Sequence, residues 1–367
     1  MFRHEGEDDE IMLKVRGNAP FPIDKVRNIL VRSTNWIGDV IMTLPAISAV
    51  RKTLPGAKIS VLAKPWVAEL YHICPDVDEV VLFQSPGIHN GLAGKFRLAA
   101  DLKKKSFDAA ILLQNAIEAA IISHLAGIPV RAGYNSDGRG FLLTHSVQRT
   151  KEIRKVHQID YYLEMVKALG FESAGRDVRL QPGNDYAGIA EELLKAYKMA
   201  SGGPLVGMAP GATYGPAKMW FSERFAGVAD RLVENFGARV LLFGSRGDHD
   251  VAGSVRQHAS HPLTNIAGRT TLKEAIALIA GCGLFISNDS GLMHVAGALG
   301  IPTIAIFGST NPVTTSPVGD RSVVITKAVD CSPCLKKTCP TDFRCMDLIT
   351  AEEVYNAARR LLVQNNG

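Results

Sequence analysis

No apolar run in the sequence is long enough to span a bilayer, so membrane-spanning helices are not expected. The start is not that of a secretory signal either, because Glu5 to Glu10 holds five carboxylates. Six cysteines, unevenly spread, are too few for a secreted disulfide scaffold. No Gly-x-Gly-x-x-Gly follows the first strand-like run, which weakens a dinucleotide reading. Charge of one sign is scarce too: the net charge of +5 fits an anionic substrate or a loose hold on anionic lipid, and does not indicate nucleic acid. What remains is a globular chain of 367 residues, 46% hydrophobic and 21% charged, expected in the cytoplasm. Its length suits two or three domains of ~100–200 residues.

Short apolar runs alternate with helical spacing from Asn28 onward. Strands are expected at Asn28–Arg32, Lys58–Ala63, Glu79–Phe83, Asp108–Leu113 and Val130–Tyr134. Val156–Leu169 reads as an amphipathic helix. After a Gly-, Pro- and charge-rich break from Phe171 to Asp185 the alternation restarts. It gives strands at Leu205–Ala209, Arg239–Phe243, Leu263–Ile266, Leu284–Ser287 and Thr303–Phe307. Such alternation predicts doubly wound parallel sheets, an α/β fold in two similar halves. The predicted divisions are an extension at 1–26, a first domain at 27–183, a second at 184–349, and a final helix at 350–367. That helix opens on a Thr350-x-x-Glu353 capping box and carries an apolar stripe, expected to pack back on the first domain.

Three loops after strands carry candidate chemistry. Asn288-Asp289-Ser290-Gly291-Leu292-Met293-His294 leaves a buried strand and opens a helix. There Ser290 is a natural N-cap, free N–H groups attract phosphate, and Gly291 admits close approach. Asp-Ser-Gly is equally an ordinary helix start. Pro210–Trp220 follows another strand with small residues and Lys218, a point charge for an anion. It is not a P-loop, because the spacing from glycine to Lys218 is wrong and no Ser or Thr follows. Two such loops in one domain suggest a nucleotide diphosphate at strand ends. Gly244–Asp248 offers ribose or base contacts, or a plain turn with an N-cap aspartate. In the first half Asp39, beside Gly38, opens a short helical turn before Pro45 starts the main helix. Its carboxylate is placed for a general base, or serves only the helix start.

Ile29–Asp39, Gly211–Trp220, Asn288–His294 and Phe307-Gly308-x-Thr310-x-Pro312 together resemble glycosyltransferase family 9, the lipopolysaccharide heptosyltransferases, over roughly residues 27 to 360. Asn35-Trp36-x-Gly38-Asp39, Gly215-Pro216-Ala217-Lys218-x-Trp220 and Cys331-Ser332-Pro333-Cys334 lean towards members that add the second inner-core heptose. The resemblance implies a GT-B fold, two Rossmann-like domains facing a cleft, with acceptor on the first and sugar nucleotide on the second. It implies ADP-heptose as donor, a lipid A–Kdo–heptose acceptor, inverting transfer and no cofactor or metal. Asp39 matches the family's base and Lys218 the lysine at the donor phosphates. Asp289, Ser290, Gly291 and His294 match donor-site positions, and Thr213 and Thr310 do so more weakly. A heptosyltransferase for another inner-core position, a GT-B sugar-nucleotide epimerase or hydrolase, and a non-catalytic nucleotide-binding module are the competing classes.

Cys331, Cys334, Cys339 and Cys345, spaced C-x2-C-x4-C-x5-C, raise zinc or an iron–sulfur cluster, against which stands the lack of a second C-x-x-C. Cys74 and Cys282 read as small buried residues. Lys103-Lys104-Lys105 and Arg149, Lys151, Arg154, Lys155 read as solvated surface or as contacts to phosphorylated sugars and an anionic inner leaflet.

Overall fold

The computed structural model describes residues 11–17, 19–178, 180–199 and 202–365; the acidic Glu5–Glu10 stretch lies outside them. The chain falls into two compact units. The first takes residues up to Asn35, Thr43–Pro65 and Asp76–Arg176. The second takes Trp36–Met42, Trp66–Pro75 and the chain from Asp177 on.

The first unit is built on one sheet. Its strands are β1 (Val15–Arg16), β2 (Asn28–Arg32), β3 (Lys58–Ala63), β4 (Glu79–Leu82), β5 (Ala109–Leu112), β6 (Val130–Tyr134) and β7 (His145–Val147). They lie in the order β1-β7-β6-β5-β2-β3-β4, parallel except that β1 pairs antiparallel with β7. All four residues of β5 are buried, as expected of a strand covered on both faces. Helix Gly91–Lys103 buries Leu98 and Leu102 against Leu30, Phe83, Phe107 and Ile122 on one side of this sheet.

The second unit repeats the plan with β8 (Leu205–Ala209), β9 (Arg239–Leu242), β10 (Thr264–Asn265), β11 (Leu284–Asn288), β12 (Thr303–Phe307) and β13 (Ser322–Thr326). Their order is β10-β9-β8-β11-β12-β13, all parallel. Numbered within the unit this is 3-2-1-4-5-6, so the order reverses between β8 and β11, where open α/β sheets take ligands. Helix Ser222–Phe236 buries Phe225, Val228, Ala229 and Leu232 against Val206, Met208, Val240 and Leu242, and Gly237 ends it in the left-handed region at φ 60°.

Four expectations change. The first helix is continuous from Ile37 to Thr53 with Pro45 inside it, instead of a short turn followed by a helix that proline starts. An internal proline costs ~3 kcal/mol, and burial of Val40, Ile41, Leu44, Ile47 and Val50 offsets it. The final helix, Ala351–Asn365, belongs to the second unit. Val354, Ala357, Ala358, Leu361 and Leu362 join the core of the second unit, beside Phe225 and Ile304. The stretch read as an extension supplies β1, and its Phe21 is buried with its ring centroid 5.1 Å from that of Phe171. Finally, β7 and β13 were not expected. One has three residues, and the other is a half-buried edge strand, so neither shows a clear apolar run.

Candidate active site

Two loops meet at the switch point of the second sheet. One leaves β8 and runs from Pro210 to Trp220; the other leaves β11 and leads into helix Gly291–Ala298. Asn288, fully buried, joins them. Its Oδ1 accepts from the Trp220 N–H at 3.0 Å, and its Nδ2 donates to the Pro210 carbonyl at 2.6 Å. Trp220 is anchored in turn by donating from Nε1 to the Ile349 carbonyl at 3.0 Å. The cysteine-containing segment braces the β8 loop. Ala217 N–H donates to the Lys337 carbonyl at 3.0 Å, and the Tyr214 hydroxyl donates to the Leu335 carbonyl at 2.7 Å.

These supports place Lys218 against Asp289. The lysine Nζ donates to Asp289 Oδ2 at 2.6 Å, and Thr310 Oγ1 donates to the same oxygen at 2.7 Å. Both charged side chains are largely buried, so the pair is screened less than a surface one. Asp289 therefore orients a cation and a hydroxyl at the start of a helix, where backbone N–H groups also favour negative charge.

Asp39 belongs to the same unit and feels the same pair. Burial raises its carboxyl from 3.8 to about 6, Lys218 pulls it down, and Asp289 pushes it up. Two close approaches bring its helix start there. A Cβ added at Gly38 would lie 2.8 Å from His294 Cδ2, and one added at Gly291 would lie 2.9 Å from Ile37 Cβ. Both are closer than side-chain carbons come, so glycine at each position lets the two helix starts touch.

The structure thus gathers Asp39, Lys218, Asp289, Gly291, His294 and Thr310. Ser290 stands at the N-cap, but its hydroxyl makes no capping bond and lies 2.9 Å from Ser287 Oγ. Thr213 is exposed on the β8 loop. Asp248 is occupied within its own turn, accepting from the Ser245 N–H at 2.8 Å and hydroxyl at 2.6 Å, which answers to the plain-turn reading of Gly244–Asp248. Among the described residues no group of three or more His, Cys, Asp or Glu is arranged to hold a metal ion. The thiols of Cys331, Cys334, Cys339 and Cys345 are free, the last one buried. Cys74 and Cys282 are buried. Of the basic runs, Lys104 pairs with Asp101 at 2.8 Å, Lys105 pairs with Glu79, and Arg149 lies over the Tyr161 ring at 5.6 Å. Sequence reasoning gave Asn288 no role beyond its motif and did not find the bracing by Leu335 and Lys337. The only trace of the first was an amide at the last strand residue.

Two sheets of Rossmann order, parallel but for the edge strand β1, are the architecture of the GT-B fold. The chain belongs to glycosyltransferase family 9 (heptosyltransferase), whose model matches residues 95–343. It is 32% identical over 307 residues to lipopolysaccharide heptosyltransferase 2 of Salmonella typhimurium, covering 81% of this chain and 87% of that one. To the Escherichia coli protein of the same name it is 31% identical over 310 residues, with the same coverage. The fold is similar to the solved structure of E. coli ADP-heptose LPS heptosyltransferase II. The TM-score is 0.79 and the identity 27%, with 93% of this chain and all of that one covered.

Proposed function

We propose that the protein is an inverting transferase. It moves L-glycero-D-manno-heptose from ADP-heptose to the inner-core heptose of a Kdo-lipid A acceptor, at the cytoplasmic face of the inner membrane. Among the described residues no helix is long and apolar enough to cross a membrane. The second unit takes the donor and the first the acceptor. The observation that carries the reading is Asp39, a partly buried carboxyl held near 6 beside the Lys218–Asp289 pair. An aspartate at that value is ionised at neutral pH and is a stronger base than an ordinary one.

In this account Asp39 takes the proton of the acceptor hydroxyl as the oxygen attacks the anomeric carbon, and the C–O bond to ADP breaks on the opposite face. Lys218, oriented by Asp289, meets the charge growing on the leaving diphosphate, together with the N–H groups opening helix Gly291–Ala298. In this account Thr310, whose hydroxyl donates to the same carboxylate, also contacts the donor. No step calls for a metal, since the lysine and the helix start carry the charge.

The test is incubation of purified protein with ADP-heptose and defined lipid A precursors. ADP release together with gain of one heptosyl unit on the acceptor supports the reading. Donor loss without acceptor gain would instead mark a hydrolase or epimerase.

A further inference from the structure

The transfer chemistry leaves one surface of the first unit unused. Helix Gly91–Lys103 exposes Leu92 by 77% and Phe96 by 60%, one turn apart, and Ile88 just ahead of it is 54% exposed. Helix Ile117–Leu125 packs beside it, tied by Lys95–Glu118 at 2.7 Å, and exposes Ile121 and Leu125, again one turn apart. The turn Arg139–Leu142 adjoins that helix and presents Phe141, 80% exposed. Single exposed leucines are ordinary, whereas five large apolar side chains on three adjoining elements, with Ile88 beside them, mark an interaction surface.

The charge around it is net positive: Lys95, Lys104 and Lys105 pair with Glu118, Asp101 and Glu79, and Arg97 and Lys103 stand outside those ion pairs. Residues 84–105 carry Lys95, Arg97, Lys103, Lys104 and Lys105 against Asp101 alone. A second copy of the chain would bring the same cations face to face, so charge disfavours self-association there. An anionic lipid surface matches both features, with apolar side chains entering the headgroup boundary and long basic ones reaching lipid phosphates.

We propose that helix Gly91–Lys103, with Ile88 and the neighbouring helix Ile117–Leu125, docks the protein on an anionic membrane leaflet. This deepens the reading above, resting on its lipid-borne acceptor, and names the partner of the first unit. Apolar insertion and basic attraction act as two weak signals that are sufficient only together.

The test is co-sedimentation with vesicles of phosphatidylcholine, with and without phosphatidylglycerol, for the full chain and two double variants, Leu92→Ser/Phe96→Ser and Arg97→Gln/Lys103→Gln. The unmutated protein should bind anionic vesicles at low salt roughly tenfold better than neutral ones. Each double variant should lose roughly tenfold of that binding, with unchanged melting temperature and unchanged transfer to a soluble, deacylated acceptor. Equal binding to both vesicle types, or unmutated binding by Leu92→Ser/Phe96→Ser, would overturn the proposal. So would a change of oligomeric state in that variant without loss of lipid binding. Vesicle binding is read without donor or acceptor. A protein that transfers to the soluble acceptor but ignores vesicles refutes the docking surface alone, and one that binds vesicles but transfers nothing refutes the transferase reading alone.

Discussion

Lys218 Nζ lies 2.6 Å from Asp289 Oδ2, so the cation assigned to the donor phosphates is already held by a carboxylate from the other loop of the switch point. Asp289 fixes where the ammonium points, and in the proposed mechanism the donor diphosphate shares it. Lys218→Ala should therefore weaken ADP-sugar binding and slow transfer, a loss of ~2–4 kcal/mol in transition-state stabilisation. Titration calorimetry with ADP and a turnover assay check both. Unchanged affinity and turnover would remove Lys218 from the site.

In the proposed mechanism Asp39 governs the acidic side of the pH profile; burial raises its carboxyl most, and Lys218 opposes that rise. Lys218 lowers the Asp39 carboxyl, so removing it should move the acidic limb of the kcat/KM profile upward from its inflection near 6. Below the inflection, activity should fall tenfold per pH unit as the base takes up its proton. A profile flat from pH 5 to 8 would contradict a titrating base of this kind.

Asn288 predicts a stability effect. Replacing it by Ala leaves the Trp220 N–H and the Pro210 carbonyl buried without their partner. Each such group costs ~1–3 kcal/mol. Denaturant titration should show a loss of about 2–6 kcal/mol for the two groups together, and donor affinity should fall as the two loops lose their tie. Asn288→Asp should also destabilise, because a carboxylate cannot donate to the Pro210 carbonyl.

Gly38 predicts a local one. In Gly38→Ala the new methyl meets the buried His294 ring at 2.8 Å, so the ring or the helix start has to shift. Overpacking of this kind costs about 1–3 kcal/mol, and Asp39 moves with its neighbour. Lower melting temperature with lower turnover is expected. Unmutated values in both would show that the two helix starts do not need their close approach.

Much of this was legible in the sequence. Runs such as Leu205–Ala209 and Thr303–Phe307 are buried along their whole length, which leaves a continuous apolar signature. Asp289, Gly291 and Lys218 stood out because strand, glycine and helix signals coincide around them. The illegible parts depend on partners distant in sequence. The apolar stripe of helix Ala351–Asn365 shows that the helix packs, but nothing in it says on which sheet. Val15–Arg16 is a strand only because β7 offers it an edge. The grip of Lys337 on Ala217 is made by a backbone carbonyl, which leaves no residue signature.

Asp39 also predicts a trade between stability and activity. Its folded value, about 6, lies above the ordinary 3.8, so the folded protein holds that proton more tightly than the unfolded chain. Stability from this group is greatest when it is protonated and falls as pH rises from about 4 through 6. Above pH 6 the ionised carboxylate is a cost, which Asp39→Asn removes. The variant should be more stable than the unmutated protein at pH 8, by on the order of 1–2 kcal/mol after screening of a partly exposed group. The difference should vanish near pH 4. Equal melting temperatures at both pH values would count against the raised carboxyl.

The transfer rate of Asp39→Asn, measured at saturating ADP-heptose alongside ADP-sugar affinity, tests the central claim most directly. Loss of a general base costs ~10²–10⁴ in rate, while donor affinity, held by Lys218 and the helix start, should hardly change. A variant that transfers heptose at the unmutated rate would make Asp39 a structural carboxylate and place the base elsewhere.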